Sequence, residues 1–483
     1  MTLAYGLCVS FISSFHEVWR DEAHTIGLVK ESGSITQLFQ NLHNYGHPAL
    51  WYFLIYAGFQ IFKNPIVLKI ASIIIAVISV YVFFLKAPFS WPKKVLFALG
   101  FFPVYQYSVI SRNYGLLMLS LFLFFSLYED RFKKPVWTGL TLFLMANTIA
   151  HGVVLSAAIL ASWIFEFFWK KNSMQPQTSL LKTITGFSLA FFGILFSVCQ
   201  IYTDSTTQVT KIYSTNFLAF LNALQKSVFF PGQFFADGLG FFSPFFTSVV
   251  IFLIYAYLIR RPFLWVFFFL SVVGLGLFFS LVYPGLTRHQ GFLYLVIIGI
   301  FWITNNPAEK YNRTISIFLY TFLVSQIFMG VVAVSMDFLS EYSSSKSFAR
   351  YLKSRAELKD AVVIGEPDTD VESLPYYSDN PIYIVREKRF GNTVRFTNRS
   401  KSVCSLGELM AEAQKIKKGL HKPVVIALGY TLNPKGPFSF SGYFKRRFTF
   451  SKDELFEFLS KTTKLAEFHG AMKENYDVYL LNG

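Results

Sequence analysis

Charged residues are scarce in this chain. Only 15% of its 483 residues are Asp, Glu, Lys or Arg, against roughly 25% in an ordinary soluble domain. Hydrophobic residues instead make up 53% and aromatic residues 19%, and 58 residues are phenylalanine. A soluble fold of this size cannot bury so much apolar surface, so the composition excludes a wholly soluble protein as well as a disordered or fibrous chain.

Cysteine is scarcer still. The three cysteines, Cys8, Cys199 and Cys404, lie far apart, and the first two are in apolar runs. The sequence therefore predicts neither a disulfide framework nor a cysteine zinc site. The chain also has no internal repeat and no glycine-rich phosphate loop in its last third. Its formal net charge is +16, which in a chain this apolar indicates basic cytoplasmic loops and contact with anionic membrane lipids, and no nucleic-acid partner.

The charge divides the chain into two parts. Residues 1–335 contain 21 Lys and Arg and 10 Asp and Glu, whereas the much shorter remainder, 336–483, contains 23 and 18. In that remainder, strand-like runs such as 361–364, 423–427 and 476–481 alternate with helical patterns. We therefore expect a polytopic α-helical membrane domain over 1–335, followed by a soluble α/β domain over 336–483.

Twelve apolar segments are candidates for membrane crossing, since a transmembrane helix needs about 20 mostly apolar residues. We expect about 11 to 13 crossings, with residues 150–152 as the break in the long apolar stretch 136–169. The candidate segments are 2–15, 48–62, 66–85, 94–110, 113–128, 136–150, 152–169, 181–202, 245–259, 263–283, 290–304 and 314–335.

Clusters of basic residues set the orientation, because Lys and Arg favour cytoplasmic loops. Placing all of these clusters inside puts the first loop, residues 16–47, outside, together with Arg112, His151, Arg288 and the C-terminal domain. The clusters are Lys86, Lys93 and Lys94; Arg131, Lys133 and Lys134; Lys170, Lys171 and Lys182; Arg260 and Arg261; and Lys310 and Arg313.

Polar chemistry is concentrated on the outer face of this topology. Three of the six acids placed outside, Glu17, Asp21 and Glu22, follow the first span directly. All six histidines of residues 1–335 also lie outside. Because an ionisable group at a membrane is costly, this convergence favours a functional site over a set of unrelated loop residues.

The first loop has a recognisable pattern. Trp-Arg-Asp-Glu-Ala at 19–23 is followed, at the start of the next apolar segment, by Gly-His-Pro-Ala-Leu at 46–50, and later by Ser-Arg-Asn-Tyr at 111–114. In order and spacing, these motifs resemble those of GT-C-type membrane glycosyltransferases, in particular the lipid A aminoarabinose transferases and the protein O-mannosyltransferases. Ala49 replaces the second proline of the family motif, and Gly-His replaces the Glu-Lys of the aminoarabinose transferases.

The resemblance implies a GT-C fold and a transferase of the bacterial inner membrane. Such an enzyme moves a sugar from a polyprenyl-phosphate donor to an acceptor hydroxyl on the extracytoplasmic face, and the acceptor can be a glycan, a lipid or a protein. A carboxylate can take the proton of a poorly nucleophilic hydroxyl, so we expect Asp21 and Glu22 to be catalytic, with Asp21 as the general base. One acting carboxylate predicts inversion at the anomeric carbon, because retention needs two close carboxylates.

Cations are expected around the leaving phosphate, where negative charge grows in the transition state. Arginine suits this task because its planar guanidinium matches phosphate geometry. The outer-face residues expected to bind the donor phosphate are Arg20, Arg112, Arg288 and His47. A divalent cation, Mg, Mn or Zn, could share the phosphate, with Glu22, His47 and His151 as its candidate ligands.

Two other functions compete with this hypothesis. A transporter or flippase of lipid-linked glycans would place polar and ionisable residues within its spans, whereas here the centres of the spans are nearly uncharged. A non-catalytic membrane anchor for the C-terminal domain would need neither the Asp-Glu pair nor the histidines of the outer face. The sequence therefore favours the glycosyltransferase.

Overall fold

The computed structural model describes residues 1–170, 179–207, 216–240, 243–305, 313–442 and 446–482. Two members of the predicted basic clusters, Lys171 and Lys310, lie outside these residues. The described chain is helical up to Leu339 and mixes helices with strands after it. The last long helix thus continues a few residues beyond the predicted domain boundary at 335.

The first part of the chain is built from helices, most of which are apolar. They are α1 (Thr2–Phe15), α2 (Arg20–Glu31), α3 (Ile35–Leu42), α4 (Leu50–Phe62), α5 (Val67–Lys86), α6 (Trp91–Ala98), α7 (Tyr114–Leu127), α8 (Pro135–Ala146), α9 (Ala150–Lys170), α10 (Leu180–Ile201), α11 (Phe217–Phe229), α12 (Ala236–Leu239), α13 (Pro244–Leu258), α14 (Pro262–Leu281), α15 (Thr287–Thr304) and α16 (Arg313–Leu339). Among the described residues, α5, α9, α10, α14 and α16 are long and apolar enough to cross a membrane, and shorter apolar helices accompany them. The chain is therefore an integral membrane protein.

The predicted span 94–110 is not a single helix. α6 ends at Ala98, and a short π-helix over Phe102–Gln106 follows it. Pro103 lies in the first turn of that π-helix, and because proline has no N–H it cannot continue the hydrogen-bond ladder of a helix that starts before it. The chain therefore bends here, and it leads from the π-helix to the segment that carries Arg112.

The predicted break between two spans at residues 150–152 is displaced toward the N-terminus. In the structure, α8 and α9 are separated by residues 147–149. The side-chain amide of Asn147 donates to the carbonyl oxygen of Phe143 (2.8 Å), and so it occupies one of the carbonyls that the end of α8 leaves unpaired. As a consequence, His151 lies in the first turn of α9.

Helix α15 is enclosed on all sides by the other helices. Every residue from Phe292 to Ile298 is at most 1% exposed. Gly299 allows a neighbouring ring to approach closely, since a Cβ at this position would lie 1.9 Å from the ring of Phe125. Packing of this density leaves little freedom to a helix, so the first turn of α15, with Arg288, is held in a defined place.

The C-terminal part forms a small α/β domain. Its helices are α17 (Ser345–Ser354), α18 (Leu374–Tyr377), α19 (Leu406–Leu420) and α20 (Lys452–Lys461), and its strands are β1 (Val362–Glu366), β2 (Tyr383–Ile384), β3 (Arg389–Phe390), β4 (Val403–Ser405), β5 (Val424–Leu428), β6 (Ser439–Ser441), β7 (Arg447–Thr449), β8 (Thr462–Phe468) and β9 (Tyr476–Leu481). The main sheet has the order β1-β5-β9-β8; β1 and β5 are parallel, and β9 is antiparallel to β5 and β8. Strands β4, β7 and β6 form a second sheet, and β2 pairs with β3.

The first loop is attached to this C-terminal domain. It folds into α2 and α3, and α2 packs against the domain. The backbone N–H of Thr393 donates to the Glu31 carboxylate (2.9 Å), and the Lys30 ammonium donates to the carbonyl of Pro375 (2.7 Å). The loop is therefore fixed by the domain on one side and by the apolar helices on the other.

Candidate active site

A large cavity lies between the first loop and the C-terminal domain. Its volume is about 1110 Å³, and its walls are α2, the segment that leads into α4, the beginnings of α7, α9 and α15, and loops of the C-terminal domain. The predicted site residues that line it are Arg20, Asp21, His47, Arg112, His151 and Arg288. The structure thus brings together residues that are far apart in sequence, and it leaves Glu22 out of the cavity wall.

Asp21 is surrounded by three arginines. Its carboxylate accepts hydrogen bonds from Arg288 Nη2 (3.0 Å) and from Arg20 Nε (3.4 Å), and Arg112 donates to its backbone carbonyl. Burial disfavours the charged carboxylate, but Arg112, Arg20 and Arg288 together outweigh burial and hold the pKa of Asp21 below its ordinary value. Asp21 is therefore ionised at neutral pH.

The position of Asp21 follows from the way in which α2 begins. Trp19 is extended and precedes the helix, and Asp21 and Glu22 are in the first turn. The Glu22 carboxylate accepts from the backbone N–H of Trp19 (3.4 Å), as in a capping box. Negative side chains in a first turn are also favoured by the helix dipole, so the local sequence fixes the start of the helix and with it the place of Asp21.

Glu22 belongs to a buried network beneath the cavity. It is 0% exposed, and its carboxylate contacts His16 Nε2 (2.8 Å) and accepts from the backbone N–H of Ser111 (2.5 Å). The other ring nitrogen of His16, Nδ1, is 2.9 Å from Asp337 near the end of α16. The network thus connects the first loop, the segment before Arg112 and the last long helix.

His16 is held in its charged form by this network. Burial by itself would lower the pKa of the imidazole, but Glu22 and Asp337 outweigh burial and raise the pKa of His16 to about 9. The histidine is therefore an imidazolium at neutral pH, and it neutralises part of the charge of the two carboxylates that it joins.

Imidazole rings line another part of the cavity. The ring of His151 stacks on that of His289, with the centroids 4.8 Å apart. Within the described residues, neither ring nitrogen of His151 has a hydrogen-bond partner, and Nδ1 of His47 has none. Burial, followed by the charge of Arg112, lowers the pKa of His47 to about 3. The unpartnered ring nitrogens of His47 and His151 are therefore available to a polar ligand or a metal ion.

The predicted metal ligands do not converge. Across the described ranges, three potential ligand atoms approach within 4.8 Å of one another at Glu467, His469 and Asp477, and not at the predicted set of Glu22, His47 and His151. The oxygens of Glu22 are occupied by the contacts described above. At the other group, Lys464 Nζ lies 2.6 Å from Glu467 and 3.2 Å from Asp477, so a cation already neutralises those carboxylates.

The C-terminal domain adds three acids that the sequence analysis missed. Asp370, Glu372 and Glu474 line the cavity. Glu474 accepts from the backbone N–H of Arg20 (3.2 Å), and Glu372 contacts the ring of His24 (3.2 Å). The one hint in the sequence is the acid-rich run Glu-Pro-Asp-Thr-Asp-Val-Glu that begins with the last residue of β1, since the carboxyl ends of parallel strands are common sites of function.

Comparisons with known proteins identify a similar solved structure but no similar sequence. Neither a family model nor a curated protein matches the sequence. Among solved structures, the chain is similar to ArnT from Cupriavidus metallidurans, whose crystal structure was determined with undecaprenyl phosphate bound. The superposition has a TM-score of 0.51 and 11% sequence identity, and it covers 99% of this chain and 97% of that chain.

This likeness shows the fold. ArnT is a lipid A aminoarabinose transferase of the GT-C type, and its fold is shared over nearly the whole length of both chains. The structure therefore confirms the predicted fold class, which is a polytopic helical GT-C-type protein with a C-terminal α/β part. This is the fold that the resemblance of the first-loop motifs implied.

Proposed function

We propose that the protein is a membrane glycosyltransferase that moves a sugar from a polyprenyl-phosphate donor to an acceptor hydroxyl. The observation that carries the proposal is the cluster in which one ionised carboxylate, Asp21, is surrounded by three arginines in the wall of a large cavity. The same GT-C-type fold binds undecaprenyl phosphate in ArnT, and a cluster of arginines has the charge and the geometry to bind such a phosphate here.

The proposed reaction is a single displacement. The acceptor hydroxyl gives its proton to the Asp21 carboxylate while its oxygen forms a bond to the anomeric carbon. The bond between that carbon and the phosphate oxygen breaks, and its electron pair stays on the polyprenyl phosphate that leaves. Because the oxygen attacks from the face opposite to the phosphate, the anomeric configuration is inverted, and no second nucleophilic carboxylate is needed.

The arginines have two tasks in this reaction. They bind the phosphate and stabilise the charge that develops on it as the sugar departs. Arg288 is placed for this, since Nη2 donates to Asp21 and Nε is buried without a partner among the described residues. A phosphate bound to the arginines also reduces the positive charge that Asp21 experiences, so arrival of the donor raises the pKa of Asp21 and makes it a better base.

The proposal includes the side of the membrane and a metal. We place the cavity on the extracytoplasmic face of a bacterial inner membrane, in accordance with the distribution of Lys and Arg. The unpartnered nitrogens of His47 and His151 are suited to a divalent cation, Mg, Mn or Zn. Such a cation would help to neutralise the donor phosphate. Glu22 would influence that phosphate only indirectly, because its contact with Ser111 helps to position Arg112.

Replacement of the proposed base tests this function. In a deletion strain that carries Asp21→Asn, we expect a normal amount of protein in the membrane and a loss of transfer of about 10²–10⁴-fold, because the amide cannot take the proton. Mass spectrometry of surface glycans and glycolipids measures the loss against the wild type. Asp237→Asn is the matched control. Asp237 is also an acid of the helical part that we place on the outer face, but it does not line the cavity.

Each alternative outcome has a meaning. Transfer that persists in Asp21→Asn refutes Asp21 as the base. If the product is lost because the lipid-linked donor no longer reaches the outer leaflet, the protein is a flippase or transporter. A surface glycome that is identical in the deletion strain and in the wild type refutes glycosyl transfer altogether.

A further inference from the structure

Charged side chains are unevenly distributed over the cavity walls. The wall formed by the first loop and the ends of the membrane helices carries Arg20, Arg112 and Arg288. The facing loops of the C-terminal domain carry three acids, Asp370, Glu372 and Glu474, and two cations that contact the first loop: Arg395 Nη2 is 3.7 Å from Glu31, and Lys473 Nζ is 5.4 Å from the centre of the Trp19 ring. Arg20 lies between the two walls, since its Nε contacts Asp21, its Nη1 is 3.7 Å from Asp370, and its backbone N–H bonds Glu474. The three arginines, here called the arginine wall, therefore suit an anion, whereas the surface around Asp370 and Glu474 suits a ligand that donates hydrogen bonds.

Glu474 has a buried oxygen that lacks a hydrogen bond of good geometry within the described chain. The residue is 3% exposed, and Oε1 accepts from the backbone N–H of Arg20, but Oε2 is buried without a hydrogen-bond partner. Burial raises the pKa of Glu474 to about 7, with only partial relief from the Ser343 side chain and from Arg20. A buried carboxylate in this condition is stabilised by a hydrogen-bond donor, and a ligand in the cavity is in a position to supply one.

Asp370 and Tyr430 extend this wall. Burial raises the pKa of Asp370 to about 6, although Arg20 acts in the opposite direction. The ring of Tyr430, which also lines the cavity, is stacked on Phe440 with the centroids 4.5 Å apart, so it is held flat and rigid. In the same cavity, Asp370 and Glu474 provide hydrogen-bond acceptors for hydroxyls, and the ring of Tyr430 provides an apolar surface for a sugar ring.

We propose that Asp370 and Glu474 form the acceptor subsite, and that the acceptor is a carbohydrate without a phosphate or carboxylate beside its reacting hydroxyl. The inference rests on the proposed glycosyl transfer and adds the substrate class to it. Hydroxyl groups of the acceptor donate to the two carboxylates, whereas an anionic acceptor would have to bring its charge next to two acids at the same wall. The C-terminal domain therefore selects the acceptor, and the arginine wall binds the donor.

The first experiment identifies the product that the protein forms in the cell. Cells of the deletion strain that carry the wild-type chain or Asp21→Asn are compared by mass spectrometry, and the attachment position of the transferred sugar is mapped. We expect the sugar on a hydroxyl of a carbohydrate that has no phosphate or carboxylate on the same residue. Attachment to a phosphate, to a phosphorylated sugar or to a protein overturns the acceptor assignment but leaves glycosyl transfer intact.

The subsite itself is tested with Asp370→Asn/Glu474→Gln. The full-length protein in lipid nanodiscs is assayed with the mapped acceptor, and the matched control is Glu357→Gln/Asp360→Asn, which removes the same charge at exposed positions. We expect the KM for acceptor to rise about fivefold or more while kcat changes by less than about twofold. Glutamine keeps the oxygen that accepts from Arg20, so this contact, and with it the fold, is retained.

Binding of undecaprenyl phosphate distinguishes a failure of the acceptor subsite from a failure of the proposed glycosyl transfer. The double variant is expected to bind this probe within about twofold of the wild type, because the arginine wall is unchanged. An unchanged KM for acceptor in the double variant refutes the subsite. If the wild type does not bind the probe, and Asp21→Asn leaves the surface glycans as they are, the glycosyl transfer fails and the acceptor assignment falls with it.

Discussion

The buried contacts of His16 predict a pH-dependent stability. His16 lies between Glu22, at 2.8 Å, and Asp337, at 2.9 Å, and its side chain is 0% exposed. Its pKa is raised from 6.5 to about 9 in the folded protein. Below pH 6.5 the imidazole is charged in both the folded and the unfolded chain, and the stabilisation is fully present; as the pH rises through about 9, the stabilisation is lost.

The size of the effect follows from the separation of the two pKa values. At about 1.4 kcal/mol for each pH unit, the interval from 6.5 to about 9 corresponds to about 3 kcal/mol. In His16→Gln this titration is absent, so the variant is less stable than the wild type at pH 6. The difference between the two proteins should shrink as the pH approaches 9.5.

Thermal unfolding of the detergent-solubilised protein, followed by tryptophan fluorescence between pH 6 and 9.5, measures this difference. The control is His421→Gln, since His421 is exposed at the end of α19 and should give a profile parallel to that of the wild type. If the profiles of wild type and His16→Gln are parallel over the whole range, the network does not hold His16 in its charged form, and the reasoning is refuted.

Two further substitutions test the packing and the anion site. Gly139→Ala should destabilise the helical bundle by about 1–3 kcal/mol, because a Cβ at this position would lie 2.1 Å from the carbonyl oxygen of Gly186. The matched control is Gly419→Ala, whose Cβ would meet nothing within 4 Å. Equal melting temperatures of the two variants would contradict the close contact. Arg288→Lys keeps the charge but loses the planar guanidinium. We therefore expect the variant to have normal stability and to bind undecaprenyl phosphate about tenfold more weakly, as measured with the protein in lipid nanodiscs. Unchanged affinity would exclude Arg288 from the phosphate site.

Local patterns predicted much of the helical architecture. α1 begins and ends where the first apolar segment does, and the strand at 476–481 has the predicted bounds, because both depend on the periodicity of adjacent residues. The segment 94–110 was wrong as a single span, since hydropathy does not register the missing N–H of Pro103. Helix bounds therefore follow hydropathy only where no residue interrupts the hydrogen-bond ladder.

The site was predictable only in part. Asp21, Arg112 and Arg288 could be chosen because charged residues are few in the apolar first 335 residues. In the C-terminal domain, where charge is common, Asp370 and Glu474 do not stand out, and only the tertiary fold brings them to the cavity. The same holds for the contact between His16 and Asp337, which are 321 positions apart, because no local pattern encodes a pairing over such a distance.

The attachment of the first loop to the C-terminal domain has a consequence for biosynthesis. Arg20 emerges from the ribosome early, whereas its hydrogen-bond partner Glu474 follows 454 positions later. At about 5–20 residues per second, translation of that interval takes roughly 20 to 90 s. During this time the amino-terminal loop lacks the surface against which it finally packs, so a nascent chain has no complete cavity until Glu474 has been made.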